Sequence, residues 1–319
     1  MTCPSILSSP KRGSHSVIKL KKSSPPAILL LAVFILLAVS GLLSRNAQSV
    51  NEVFFTNMIL QVMIFILPAL FYCLIRRRPV LHKSYTFTVV PLHPLFLVSV
   101  FAVMVLGSTL INLGVAAITD STREFGSSAS STLTGITNVV GALHVIFSLC
   151  IVPAIAEEFF FRGVLLSEYT EQNPNAAVIL TTIVFAASHF DLTLLPSYLF
   201  SGFLLAFALR VTRSLLAPIL IHCAVNLFNI FLLPYLWQVT LAPLGPLFTV
   251  FIVAGLLLSF ALVAFREAEH IYTEYASDPK REGDTFGEKG SFSTTLTGGL
   301  LSPPYMAAVA LSVLMIWLS

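Results

Sequence analysis

Charged residues are scarce in this sequence. Only 10% of its 319 residues are Asp, Glu, Lys or Arg, whereas 56% are hydrophobic, and the mean hydropathy is +0.89. A soluble domain carries roughly 25% charged residues, so this chain cannot cover a water-facing surface with polar groups. The net charge of +3 is small, and no basic stripe marks a nucleic-acid partner. The lipid bilayer is therefore the expected surrounding of a multi-pass protein of the cell membrane.

Cysteine pairs are also lacking. The four cysteines (Cys3, Cys73, Cys150 and Cys223) form no C-x-x-C motif, and three of them lie in apolar stretches. A cysteine in such a stretch is usually a small hydrophobic residue. The sequence therefore predicts neither a disulfide framework nor a cysteine zinc site.

Long apolar runs are what the sequence has instead, and a helix that crosses a bilayer needs roughly 17–25 such residues. Every run exceeds the length of a strand, which predicts an all-α polytopic transmembrane helical bundle of about eight to nine spans. No A-x-A-like cleavage site follows the first run, so we expect an uncleaved membrane helix there. The predicted spans are 27–43, 53–75, 95–118, 139–166, 176–190, 194–209, 214–235, 245–265 and 303–318.

Basic residues fall on alternate loops between these spans and predict the orientation. They occur in the N-terminal segment 1–26, around residues 76–83, at Arg162, at Arg210 with Arg213, and in 266–289. The positive-inside rule makes this side cytoplasmic, with the N-terminus inside. The chain then divides into the basic segment 1–26, three helices within 27–138, a membrane core at 139–265, a polar cytoplasmic linker at 266–302 and a possible final helix at 303–319.

Two acidic residues and an arginine interrupt the fourth run. Glu158 and Arg162 are four residues apart and share a helical face, where the arginine can neutralise the carboxylate. Glu157 points about 100° away around the helix and needs another partner. Ionisable groups inside membrane helices are costly and usually functional, although a juxtamembrane ion pair would also explain this cluster. A free carboxylate of this kind is what a general base requires.

Two further polar elements follow. His189 ends the stretch Phe185-x-x-x-His189, and a single histidine in an apolar helix is more often a satisfied core group than a catalyst. His222 and Asn226 are four residues apart on one helical face. Both can donate hydrogen bonds to an oxyanion, or they form an interhelical polar contact. Asp191 and Asn229 are neighbours that could assist.

Together, these elements resemble the motifs of the CPBP family, the CAAX protease and bacteriocin-processing family also called Abi proteins. The resemblance covers about residues 139–232 and includes the stretch 212–222, which is similar to a bacterial form of the third motif. Its motifs are Glu157-Glu158-x-x-x-Arg162, Phe185-x-x-x-His189 and His222-x-x-x-Asn226.

The resemblance implies an intramembrane endopeptidase of bacterial type whose substrate is a membrane-embedded or lipidated peptide. It implies that Glu157 activates water together with His189, and that His222 and Asn226 stabilise the oxyanion. Glu158 and Arg162 would hold the site together. No cofactor is expected, because the H-E-x-x-H helix of zinc proteases is absent.

Three alternatives stay open on the sequence alone. Glu157, His189 and His222 satisfy a catalytic zinc site by ligand type, which would make a zinc-dependent version of the same protease. A non-catalytic membrane protein that confers immunity or acts as a scaffold is the second. A proton-coupled transporter is the third, because intramembrane Glu and His residues also form proton relays.

Overall fold

The computed structural model of the protein describes residues 24–44, 50–82, 85–87, 93–119, 139–240, 245–276 and 290–318. These residues form helices and no strand, apart from one isolated bridge between Thr86 and Ser214. The predicted all-α bundle is therefore confirmed. The helices are α1 (Ser24–Ser44), α2 (50–76), α3 (Pro94–Thr119), α4 (139–170), α5 (Pro174–Ala187), α6 (Leu195–Thr212), α7 (Leu216–Phe231), α8 (Leu233–Thr240), α9 (Gly245–Ala276), α10 (Phe292–Leu300) and α11 (Pro303–Leu318).

Five helical stretches in the described part of the chain are long and apolar enough to cross a membrane, and they lie in α2, α3, α4, α6 and α9. A sixth is reached if α10 and α11, which meet at a bend of 57°, count as one broken span. The apolar parts of α1, α5 and α7 are shorter than 18 residues. By length and composition, the described residues therefore contain five or six candidate spans where eight or nine were expected, and α5 and α7 contain only 14 and 16 residues.

Several predicted boundaries are wrong. The span expected at 176–190 begins at Pro174, where Asn173 caps the helix, and ends at Ala187. The span expected at 194–209 continues to Thr212 in α6. The span expected at 214–235 divides after Phe231 into α7 and α8.

The span expected at 245–265 continues to Ala276, so the first part of the predicted linker 266–302 is helical. Ala264, Ala268, Ile271 and Tyr275 are buried at helical spacing, and this apolar stripe explains why the helix extends. Residues 292–300 of the predicted linker form α10.

Wide π-helical turns occur within α2 and α4. They span Val62–Ile66 in α2 and Ile146–Ile151 in α4, and a proline follows each of them closely, Pro68 and Pro153. Proline has no N–H and its ring crowds the preceding turn, so the wider turn accommodates it. A third π-helical segment, Phe159–Leu165, carries Arg162. Such segments are frequent at functional sites.

The helices that carry the polar motifs pack around α4. This helix contacts α2, α5 and α7, while α6 packs against α3, α5 and α7. The loop before α3 is attached to the start of α7, because Thr86 N donates to Arg213 O and Leu215 N donates to Thr86 O, each at 2.9 Å. The described polar residues of α4, α5, α6 and α7 are thereby brought into one part of the bundle.

Candidate active site

A buried carboxylate joins two of the three motifs. Glu158 Oε1 accepts hydrogen bonds from Arg162 Nη1 at 2.7 Å and from His222 Nδ1 at 2.9 Å. Glu158 and Arg162 are 0% and 1% exposed, and His222 is 6% exposed. The local pair Glu158–Arg162 was expected from the spacing on one helix. The contact between Glu158 and His222, which are 64 residues apart in the chain, was not expected from the sequence.

The guanidinium of Arg162 divides its hydrogen bonds between two elements. Its Nη1 binds Glu158, whereas its Nη2 donates to the carbonyl oxygen of Gly202 in α6 at 3.0 Å. Arg162 therefore binds both the carboxylate that the spacing predicted and a backbone carbonyl group of another helix. The Phe185 ring lies 4.3 Å from the guanidinium carbon, in cation–π geometry. Arg162 thus links α4 to both α5 and α6.

Gly202 makes this link possible because it lets α6 approach α5 closely. A Cβ atom at this position would lie 2.9 Å from Phe185 Cδ1 and 3.5 Å from Thr182 Cα. A larger residue would therefore push α6 away from α5 and move the carbonyl group that holds Arg162.

Glu157 differs from its neighbour in its contacts. Its Oε2 atom is buried and has no hydrogen-bond partner within the described residues. It lies within electrostatic range of His222, Glu158, Arg162 and Tyr198. The two acids therefore differ in their contacts, since Glu158 accepts hydrogen bonds from Arg162 and His222 on Oε1, whereas no hydrogen bond to Glu157 is found within the described residues. Glu158 Oε2 is, like Glu157 Oε2, buried without a partner there.

His189 lies in the turn after α5, whereas the predicted span 176–190 placed it inside the helix. Its Nδ1 atom is 2.9 Å from the Phe185 carbonyl oxygen. Its ring packs edge-on against the Phe185 ring, with centroids 5.0 Å apart. Phe190 follows with φ of 51°, a left-handed conformation that ends the helix. The backbone therefore fixes both the position and the orientation of the imidazole.

Phe185 contacts both histidines. Its ring is 5.0 Å from that of His189 and 5.9 Å from that of His222, measured between centroids. Its carbonyl oxygen also binds the His189 ring.

Tyr198 of α6 is a site residue that the sequence did not indicate. Its ring stacks on the His189 imidazole, with centroids 3.8 Å apart and an interplanar angle of 20°. It also lies within electrostatic range of Glu157 and Asp191. A tyrosine in an apolar helix without a nearby polar partner gives no signal in the sequence. Only the approach of α6 to the end of α5 brings it into the site.

The remaining candidates are Asn226, Asn229 and Asp191. Asn226 is half-buried on α7 one turn after His222, and Asn229 is exposed. Asp191 Oδ1 accepts a hydrogen bond from Leu194 N at 3.0 Å, in the turn that leads into α6. Asp191 is therefore a turn residue within electrostatic range of His189.

No group of three or more His, Cys, Asp or Glu side chains in the described ranges has the geometry to hold a metal ion. The ligand set of Glu157, His189 and His222 is therefore not assembled in this conformation. The described cysteines, Cys73, Cys150 and Cys223, are free.

One comparison with known proteins matches the segment that carries the motifs. Residues 139–228 match the family model of the Rce1-like type II CAAX prenyl endopeptidases. No curated protein and no solved structure is significantly similar to the chain. The matched segment contains all six motif residues, so this part of the chain is similar to a family of membrane proteases.

Proposed function

We propose that the protein hydrolyses a peptide bond of a membrane-associated or lipid-modified peptide, using a water molecule activated by Glu157. The substrate class follows from the matched family, whose description names CAAX prenyl endopeptidases. The observation that carries the catalytic assignment is the contrast between two adjacent acids, because Glu158 accepts hydrogen bonds from Arg162 and His222, whereas no hydrogen bond to Glu157 is found within the described residues.

In this mechanism Glu157 accepts a proton from water while the water oxygen attacks the scissile carbonyl carbon. The carbonyl oxygen becomes an oxyanion. Glu157 then returns the proton to the departing amine nitrogen as the C–N bond breaks. One carboxylate thus acts first as a base and then as an acid, which general acid–base catalysis allows.

The contacts of His189 support a role as the second acceptor for this water. A carbonyl oxygen can only accept a hydrogen bond, so the His189 nitrogen that faces Phe185 O, Nδ1, carries the proton. In the neutral imidazole, Nε2 then has a free lone pair. Stacking on Tyr198 holds the ring, which favours a fixed direction for that lone pair.

The contacts of His222 support a different role. Its Nδ1 donates to the Glu158 carboxylate, so its Nε2 donates a hydrogen bond only when the ring is an imidazolium. An imidazolium beside a buried carboxylate is a suitable donor to an oxyanion. The Asn226 amide donates without any change of protonation, and it lies on the same helical face.

Replacement of the site residues in the native cell tests this proposal without a known substrate. We expect Glu157→Gln, His189→Ala and His222→Ala to accumulate the same uncleaved membrane peptides in quantitative peptide proteomics. A suitable control is Glu171→Gln, which makes the same chemical change in a surface ion pair with Arg78, 2.7 Å away. The proposal fails if the three site variants remain folded and alter no peptide relative to this control.

A further inference from the structure

Two hydroxyl groups of the C-terminal helix α11 bind backbone carbonyl groups of α5. Tyr305 Oη donates to the Leu180 carbonyl oxygen at 2.9 Å, and Ser312 Oγ donates to that of Ala187 at 2.5 Å. The two donors are seven residues apart, as are the two acceptors, and both pairs ascend together along the chain. The helices therefore run parallel in a seven-residue register, which keeps one face of each turned to the other.

The same contact continues to the start of α5. Asn173 Nδ2, at the helix cap, donates to Gly290 O at 3.2 Å, and Gly290 N donates to Gln172 O at 3.0 Å. Gly299 of α10 lies so close to Leu180 that a Cβ atom there would be 2.6 Å from Leu180 Cδ1. A segment outside the matched range 139–228 thus follows α5 from its cap to its last residue.

The two carbonyl acceptors differ in what else can bind them. Leu180 lies inside α5, where its carbonyl has a helical N–H partner four residues on. Ala187 is the last helical residue, and the last carbonyls of a helix lack such partners. Its only other bond in the described structure is a long one from Phe190 N, at 3.4 Å. Ser312 therefore supplies the short hydrogen bond at this helix end.

The other side of the same turn is held by α1. The Phe34 ring packs edge-on against Phe190, with centroids 6.2 Å apart and an interplanar angle of 87°. Helix α1 in turn packs along α11. His189 lies between Ala187 and Phe190, so α11 and α1 hold the backbone on both sides of the proposed catalytic histidine.

We propose that Ser312 is a positioning residue for His189, and that α11 serves to fix the turn at the end of α5. This inference rests on the proposed catalytic role of His189. Ser312 acts through the Ala187 carbonyl and touches no reacting atom. When the bond is absent, the turn gains freedom and the Nε2 lone pair of His189 loses its fixed direction.

The test compares Ser312→Ala with Tyr305→Phe, which removes the same kind of bond two turns earlier on the same pair of helices. With a quenched fluorescent peptide that ends in a farnesylated CAAX sequence, we expect Ser312→Ala to lower kcat on the order of tenfold. KM should stay unchanged, because the proposed role of the turn is to orient His189 and not to hold the peptide. Tyr305→Phe should retain the wild-type kcat.

Hydrogen–deuterium exchange in detergent micelles gives a second readout that needs no substrate. The amides of Ser188, His189 and Phe190 donate to Val184, Ala186 and Ala187 at 3.0, 3.3 and 3.4 Å. In Ser312→Ala they should exchange faster than in the wild type, whereas in Tyr305→Phe they should not.

The outcomes separate this inference from the proposed function. Unchanged exchange at residues 188–190 in Ser312→Ala overturns the positioning role, as does an equal loss of kcat in both variants. If even the wild type leaves the peptide intact, the assigned substrate class is wrong. In that case faster exchange confined to the end of α5 still supports the role of α11 in holding the turn.

Discussion

Removal of the Glu158 side chain should lower the free energy of unfolding, whereas removal of the adjacent Glu157 side chain should not. In Glu158→Ala, Arg162 and His222 lose the carboxylate that both of them bind. Removal of one partner from a buried ion pair costs about 3–5 kcal/mol, because the other charge is left uncompensated. Since native proteins are stable by only about 5–15 kcal/mol, this is a large part of the total.

Glu157→Ala should have no such cost. Unlike Glu158, the Glu157 side chain makes no ion pair or hydrogen bond within the described residues, so its removal leaves no charge uncompensated. Its Oε2 is buried without a partner there, and an unsatisfied buried polar group costs about 1–3 kcal/mol. Its removal should therefore leave the free energy of unfolding unchanged or raise it by roughly 1 kcal/mol. Replacement of an active-site residue often leaves a protein equally or more stable, because such sites are shaped for activity and not for stability.

Thermal unfolding with a thiol-reactive fluorescent dye measures the difference. Cys73 and Cys150 are buried free thiols and become reactive as the bundle opens. We expect the midpoint to fall by roughly 10 °C in Glu158→Ala and to stay at or above the wild-type value in Glu157→Ala. Equal destabilisation by both variants, or a wild-type midpoint in Glu158→Ala, would refute the division of roles.

Three further predictions concern the neighbouring residues and the metal. Tyr198→Phe keeps the ring that stacks on His189 and should retain most of kcat. Tyr198→Leu removes this ring and should lower kcat with little change in KM. Equal kcat values for the two variants would contradict a stacking role. Gly202→Ala should cost about 1–3 kcal/mol by overpacking against Phe185. Gly255→Ala, where nothing lies within 4 Å of the added Cβ, should melt at or above the wild-type temperature, because alanine favours a helix more than glycine does. Purified protein should contain no stoichiometric zinc and should keep its activity under strong chelation, as measured by elemental analysis and peptide cleavage; stoichiometric zinc with chelator-sensitive activity would instead indicate a metalloprotease.

Local spacing was sufficient to predict part of the site. The contact between Glu158 and Arg162 follows from the four-residue spacing on one helix, and the structure contains it. The all-α bundle follows from apolar runs too long for strands. These features depend on residues close together in the chain, so a helical periodicity is enough to derive them.

Contacts between distant helices could not be predicted in this way. The bond from His222 to Glu158 and the stacking of Tyr198 on His189 depend on how α4, α5, α6 and α7 approach one another. The end of α5 was also misplaced, because His189 and Phe190 continue an apolar pattern although the backbone leaves the helix after Ala187. The hydroxyl contact of Ser312 lies 125 residues from its acceptor and has no signature in the sequence.

Peptide cleavage by purified Glu157→Gln protein in a bilayer tests the central claim most directly. Glutamine keeps the shape of the side chain but cannot accept and return the proton. With the farnesylated CAAX peptide, we predict a fall in kcat of about 10²–10⁴-fold relative to the wild type, with an unchanged unfolding midpoint. Cleavage by Glu157→Gln at the wild-type rate would contradict the assignment of Glu157 as the group that activates water.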